Sequence, residues 1–191
     1  ATVTCVNKEA SATMALLPFL TALLDLHFST HNRCDFTSYA LAARRALAGP
    51  EASGVVSDVA LRLDYQLKHI LVDEFQDTSK LQYELLAALT GHWQPGDGRT
   101  LFLVGDAMQS LYSFRNANVG LFITAQRHPI GGAHCQPQQL ASNFRSQSGV
   151  IDWVNTTFAK LFPTVSDASS GAVSYTPSLA EVAAGSDPAV E

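Results

Sequence analysis

Apolar residues recur at helical spacing over residues 9–28. They do so again from Asp35 to Leu47, where Arg44 and Arg45 fall on the polar side. Asp35 or Thr37 is placed to cap the second of these helices, and Gly49, Pro50, Ser53 and Gly54 predict a loop after it. From Ala60 the pattern changes. His69-Ile70-Leu71-Val72 is a short apolar run that stops abruptly at Asp73-Glu74, as a buried parallel strand does. Thr78 or Ser79 can cap a helix running to about Thr90, and a Gly/Pro/Asp loop around Pro95 to Gly98 follows. A second apolar run, Thr100 to Val104, then ends in Gly105-Asp106. Strand, helix, strand in that order is a βαβ crossover, which parallel pairing requires. Both acidic clusters then fall at the carboxyl ends of neighbouring strands, the edge where open α/β sheets bind ligands.

Beyond Phe114 the spacing predicts a helix through Val119 to Gln126, then a polar loop with Gly131-Gly132. A short strand is expected from Leu140 to Phe144 and an amphipathic helix from Ser148 to Leu161. From Pro163 onward Ser, Gly, Ala and Pro dominate, so that tail reads as irregular, with an extended stretch at Ala172 to Tyr175. No internal repeat is evident.

With 47% hydrophobic and 15% charged residues the chain is globular rather than disordered. The early stretch from Met14 to Leu26 is interrupted by Pro18 and ends among Asp25 and His27. It reads as a core helix, with no apolar run reaching the roughly 18 residues of a membrane span. No basic segment precedes it as in a secretory signal. Three scattered cysteines (Cys5, Cys34, Cys135) suit a reducing cytosol rather than a disulfide framework. The formal charge of −5 argues against gripping nucleic acid by bulk electrostatics, so any such contact is expected through a few local groups. His27, His31 and Cys34 lack a fourth ligand and are not assigned a metal, and Asp167 and Asp187 read as solvated.

The acidic strand end carries the chemistry. In nucleotide hydrolases such a strand sets an Asp to hold Mg²⁺ beside the β- and γ-phosphates, and a neighbouring Glu can take a proton from the attacking water. Taken alone, the pattern is equally a strand ending in two solvated acids. The full string VDEFQDTS (Val72 to Ser79), however, resembles motif II of the UvrD-like helicases of superfamily 1. LVGDAMQSLYSFRNA (Leu103 to Ala117) resembles their motif III, and LASNFRS (Leu140 to Ser146) their motif IV. FRNANVGLF and SQSGVIDWVNTTFAKLFP look more like the RecB/AddA branch than like UvrD itself. The resemblance covers roughly Asp35 to Tyr175.

The resemblance implies an α/β fold, a partial RecA-like (P-loop NTPase) motor domain with a short parallel sheet flanked by helices. Residues 1–60 would be a helical segment before the core, 61–145 the second half of the motor domain, and 146–191 the start of the next motor domain with an irregular tail. It implies Mg²⁺ coordination by Asp73, the catalytic base at Glu74, a γ-phosphate-sensing amide at Gln109 and a γ-phosphate-reaching guanidinium at Arg145. Gln76, Asp77 and Asp106 would serve the nucleotide site, with Gln76 and Asp77 organising the loop between nucleotide and DNA. Phe144 would stack on the nucleotide base, Tyr112 and Phe114 on single-stranded DNA, and Arg115 would link the two sites. Phe114 stands where many relatives place Trp, which weakens stacking, and Ala107 replaces a common Pro.

The implied cofactors are ATP and Mg²⁺. The implied partners are single- and double-stranded DNA, the rest of the parent helicase and a nuclease subunit or domain, in the bacterial cytoplasm and without a membrane. The implied activity is ATP-dependent 3′–5′ translocation in DNA repair or recombination. The phosphate-binding string GxxxxGK[ST] is absent, and Lys8 has no flanking glycines. The chain, which starts at Ala1, is therefore expected to be a piece of a longer motor, inactive alone. The alternatives are a catalytically inactive helicase-like scaffold, or a metal phosphohydrolase using Asp73, Glu74 and Asp106, which leaves Gln109, Tyr112 and Arg145 unexplained.

Overall fold

The computed structural model describes residues 8–48, 57–111 and 117–183. The chain forms two compact units, one up to Ala43 and one from Arg44 onward. The loop expected around Gly49 to Gly54 lies outside the described residues, as does Asp187.

In the first unit, α1 (Lys8–His31) runs for 24 residues straight through Pro18. This corrects two expectations. Among the described residues nothing buries α1 as a core helix: Met14 (71% exposed), Phe19 (74%) and Leu26 (60%) stand open along with most of its other apolar side chains. It also includes a segment, Ala10–His31, long and apolar enough by length and composition to cross a membrane. Counting uninterrupted apolar residues missed it, since isolated Thr, Ser and Pro residues dilute the run without lowering its mean hydropathy enough. α2 (Phe36–Ala48) starts in this unit and ends in the next. Of the two candidate caps Asp35 serves: its Oδ1 accepts the Ser38 N–H at 2.7 Å, and that bond lowers the Asp35 pKa.

The second unit contains the predicted crossover. After α3 (Asp58–Gln66), β1 (His69–Val72) pairs in parallel with β2 (Thr100–Leu103), Ile70 opposite Leu101 and Val72 opposite Leu103. Between them lies α4 (Lys80–Leu89), opened by a capping box in which Ser79 and Gln82 each bond the other's backbone N–H. Ile70, Val72, Leu101 and Leu103 face inward onto Phe75, Leu86, Ala125 and Ile130, so Phe75, 1% exposed, plugs the core directly below the acidic loop. On the opposite sheet face Leu71 and Phe102 stay 68% and 64% exposed.

Arg99 sets the start of β2. It pairs with Asp64 and Asp97, donates to the His92 carbonyl and lies over the Trp93 ring. Backbone N–H bonds from Gln94 and Arg99, then the Arg99 guanidinium, hold the Asp97 carboxyl down at about 2.

The chain continues through α5 (Val119–Ala125), one residue shorter than expected, to a turn at Gly131-Gly132. This turn is built against the end of α4. The fully buried Thr90 donates its hydroxyl to the Ile130 carbonyl at 2.7 Å, and Gly132 N–H returns a bond to the Thr90 carbonyl at 2.8 Å. A Cβ on Gly132 would overlap the Trp93 carbonyl oxygen, which is backbone and cannot swing aside. Gly132→Ala is therefore expected to lower the unfolding free energy by about 1–3 kcal/mol. A denaturation midpoint equal to that of the parent chain would contradict this packing.

β3 (Ser142–Gln147) begins two residues later than the spacing predicts. It leads directly into α6 (Ser148–Phe158), which ends three residues early. The tail is not wholly irregular. β4 (Leu179–Val182) pairs in parallel with β3, whereas Ala172 makes only an isolated bridge to Asp167. Of the four residues of β4 Val182 alone is a strong strand former, and Ala180, Glu181 and the surrounding Ser and Ala masked the strand in the sequence. Asn155 anchors this return by donating to the Ser178 carbonyl and accepting from Tyr175 Oη and Ser178 N–H.

Candidate functional site

The loops leaving β1 and β2 are stitched together by backbone and side chain. Val104 N–H donates to Val72 O at 2.8 Å, and Phe75 N–H donates back to Val104 O at 2.9 Å. The chain after β1 turns sharply, because Glu74 adopts a left-handed backbone (φ 50°, ψ 41°) that costs a non-glycine residue of order 1 kcal/mol. That turn drops Phe75 into the core while Asp73 and Glu74 remain exposed at the strand end.

From Glu74 a continuous polar chain crosses to the second loop. Gln76 Nε2 donates to Glu74 Oε2 at 2.6 Å, and Gln76 Oε1 accepts the Asp106 backbone N–H at 3.0 Å. The Asp106 carboxylate then caps the following 3₁₀ turn (Ala107–Gln109). It accepts the Met108 N–H at 2.9 Å on Oδ1 and the Gln109 side-chain amide at 2.8 Å on Oδ2. Gln76 is 1% exposed, and Gly105 makes room for it, since a Cβ there would lie 2.5 Å from Gln76 Oε1.

Of the residues singled out in the sequence, the structure thus joins Glu74, Gln76, Asp106 and Gln109. Asp73 lies next to them in the chain, with Oδ1 accepting the Glu74 N–H at 2.9 Å. Asp77 turns inward, its Oδ1 buried and without a hydrogen-bond partner among the described residues. Phe144 and Arg145 stand exposed on the other sheet, with Asn143 Oδ1 accepting the Arg145 N–H at 3.0 Å. No described hydrogen bond or ion pair ties them to the Glu74–Gln109 chain. Tyr112, Phe114 and Arg115 lie outside the described residues. What the sequence did not reveal is the burial of Gln76 and the service of Gly105. The available signal was a glycine immediately before the second strand-end acid, a place where something must approach closely.

Among the described residues no group of three or more His, Cys, Asp or Glu side chains could by itself cage a metal. An exposed Asp73 carboxylate fits a different habit, that of Mg²⁺, which takes one or two protein carboxylates and completes its shell with water and phosphate.

A parallel βαβ crossover with acids and an amide at its carboxyl edge is the α/β architecture of RecA-like motor domains. The chain belongs to the UvrD/REP helicase N-terminal domain family, whose model matches residues 6–129. It is 43% identical over 108 residues to an ATP-dependent helicase/nuclease subunit of Moorella thermoacetica, covering 56% of this chain and 8% of that protein. It is 34% identical over 158 residues to the protein of the same name from Pelotomaculum thermopropionicum, covering 80% and 11%. To the RecBCD enzyme subunit RecB of Chlamydia pneumoniae it is 36% identical over 122 residues, covering 64% and 11%. The chain spans about a tenth of the length of these curated relatives.

Proposed function

We propose that the chain forms part of the motor of an ATP-dependent 3′–5′ DNA helicase or translocase that acts in repair or recombination. The observation carrying this reading is the hydrogen-bonded chain Glu74–Gln76–Asp106–Gln109 across two parallel strand ends, in a member of a helicase family. In this reading Asp73 holds Mg²⁺, which would neutralise charge on the phosphates of ATP. Glu74 takes the proton of the attacking water. Gln109 and Arg145 bear on the terminal phosphate, Arg145 by spreading charge over a planar guanidinium. Asp106 and Asp77 shape the loops, and Phe144 stacks on the base. Tyr112 and Phe114 stack on single-stranded DNA, each stack contributing about 1–3 kcal/mol, and Arg115 links the two sites.

In this arrangement residues 61–145 complete one motor domain and 146–191 open the next. Two surface features support a larger body. Parallel sheets are almost always covered on both faces, yet Leu71 and Phe102 are bare, and α1 exposes apolar side chains along its length. We assign their cover to other segments of a longer cytoplasmic protein, whose partners include a nuclease subunit or domain. The match to a helicase domain includes α1, which favours protein over bilayer around it.

The absence of a GxxxxGK[ST] string favours a second reading for the isolated chain, an inactive helicase-like module. A single assay separates the two. Residues 1–191 alone are expected to show no ATP turnover, whereas the full-length protein should hydrolyse ATP with stimulation by single-stranded DNA and move 3′ to 5′. Turnover by the chain alone that Glu74→Gln abolishes would overturn the half-site reading. A full-length protein that binds neither nucleotide nor DNA would leave only the inactive module.

A further inference from the structure

The most enclosed polar side chain beside the site is Gln76, and its surroundings give it one orientation. The Asp106 backbone N–H can only donate, so the amide oxygen must face it, at 3.0 Å. The amide nitrogen then faces Glu74 Oε2, at 2.6 Å, which can only accept in its ionised form. Flipping the amide would set donor against donor at one end and acceptor against acceptor at the other. Gly105 leaves the space that the amide fills, and Ser110 Oγ donates to the Gln76 backbone carbonyl at 3.4 Å. With 1% of its surface exposed, Gln76 has no face to offer a nucleotide.

We propose that Gln76 is a positioning residue that aims the Glu74 carboxylate by tethering it to the backbone at the start of the loop bearing Gln109. This rests on the motor reading and deepens it. Glu74 is exposed, sits on a left-handed backbone, and has a flexible side chain. An unsupported carboxylate there would sample several rotamers, of which few reach a water in line with the scissile phosphate. The tether removes that freedom and fixes the base relative to the amide on the neighbouring loop. Because Gln76 is spent on this bridge, losing it should slow the chemical step and leave nucleotide binding alone.

The test uses the full-length protein and two replacements. Gln76→Leu has similar volume and removes both the acceptor for Asp106 N–H and the donor to Glu74. Gln76→Met has similar length and removes both bonds without adding charge. ATP turnover under saturating single-stranded DNA is counted per nucleotide site, titrated with a fluorescent non-hydrolysable ATP analogue, so that an unfolded fraction does not enter. Both variants should lose kcat by about 10- to 100-fold with KM for ATP and analogue affinity unchanged. Wild-type kcat in either variant overturns the proposal. So does a rise in KM at unchanged kcat, which would make Gln76 a nucleotide-binding residue instead. Glu74→Gln in the same series separates the two levels. If it abolishes turnover while the Gln76 variants turn over normally, only the tether fails. If the wild type itself hydrolyses no ATP, the motor reading fails and the tether with it.

Discussion

Glu74→Gln in the full-length protein is expected to lower kcat for ATP hydrolysis by about 10²- to 10⁴-fold, the usual contribution of a general base, while nucleotide affinity stays within a small factor. The substitution isolates the chemistry well. An amide oxygen at that position still accepts the Gln76 N–H that Glu74 Oε2 accepts now, so the loop keeps its shape and loses only the ability to take a proton. The side chain is exposed, so folding should not change. Steady-state turnover with a parallel equilibrium measurement of ATP-analogue binding checks it. Unchanged turnover would remove Glu74 from the role of base, and lost binding would make it a nucleotide ligand.

The second large effect is structural. Phe75→Ala should cost about 3–5 kcal/mol of stability, the range for emptying an aromatic site in a packed core. Phe75 is 1% exposed and belongs to a cluster with Leu86, Ala125 and Ile130, its ring centroid 6.4 Å from that of Tyr83 and 6.1 Å from that of Phe122. It sits between Glu74 and Gln76, and its N–H bonds Val104 O across the strand ends. Emptying its pocket should therefore loosen the acidic loop as well as the core. Chemical denaturation measures the cost, and a loss below about 1 kcal/mol would contradict the packing described. A milder Phe75→Leu variant should fall between the two.

The crossover was legible from residue order because two independent signals agreed there. Apolar runs of strand length ended in acids, and Thr78 or Ser79 offered a cap for the helix between them, a place that Ser79 takes. Asp73 and Glu74 were legible for the same reason, an abrupt change from apolar to charged at a strand end. Three things were hidden. Gln76 reads as a polar loop residue, and only the fold reveals that its neighbour Phe75 pulls it under the surface into reach of Asp106 N–H. α1 read as a core helix because apolar composition measures the preference for cover, not the presence of anything covering it. β4 was missed because its pairing with β3 is long-range, across α6, and nothing local in Leu179-Ala180-Glu181-Val182 enforces a strand. Phe144 and Arg145 were singled out only as part of a motif.

The most direct measurement is a structure of the full-length protein with Mg²⁺ and ADP–aluminium fluoride, a mimic of phosphoryl transfer. The metal should be bound to Asp73 directly or through one water. A water should be held between the Glu74 carboxylate and the Gln109 amide at about 2.6–3.2 Å from each, in line with the fluoride group. A nucleotide seated elsewhere, or a metal held by other carboxylates with Glu74 and Gln109 turned away from it, would contradict the account.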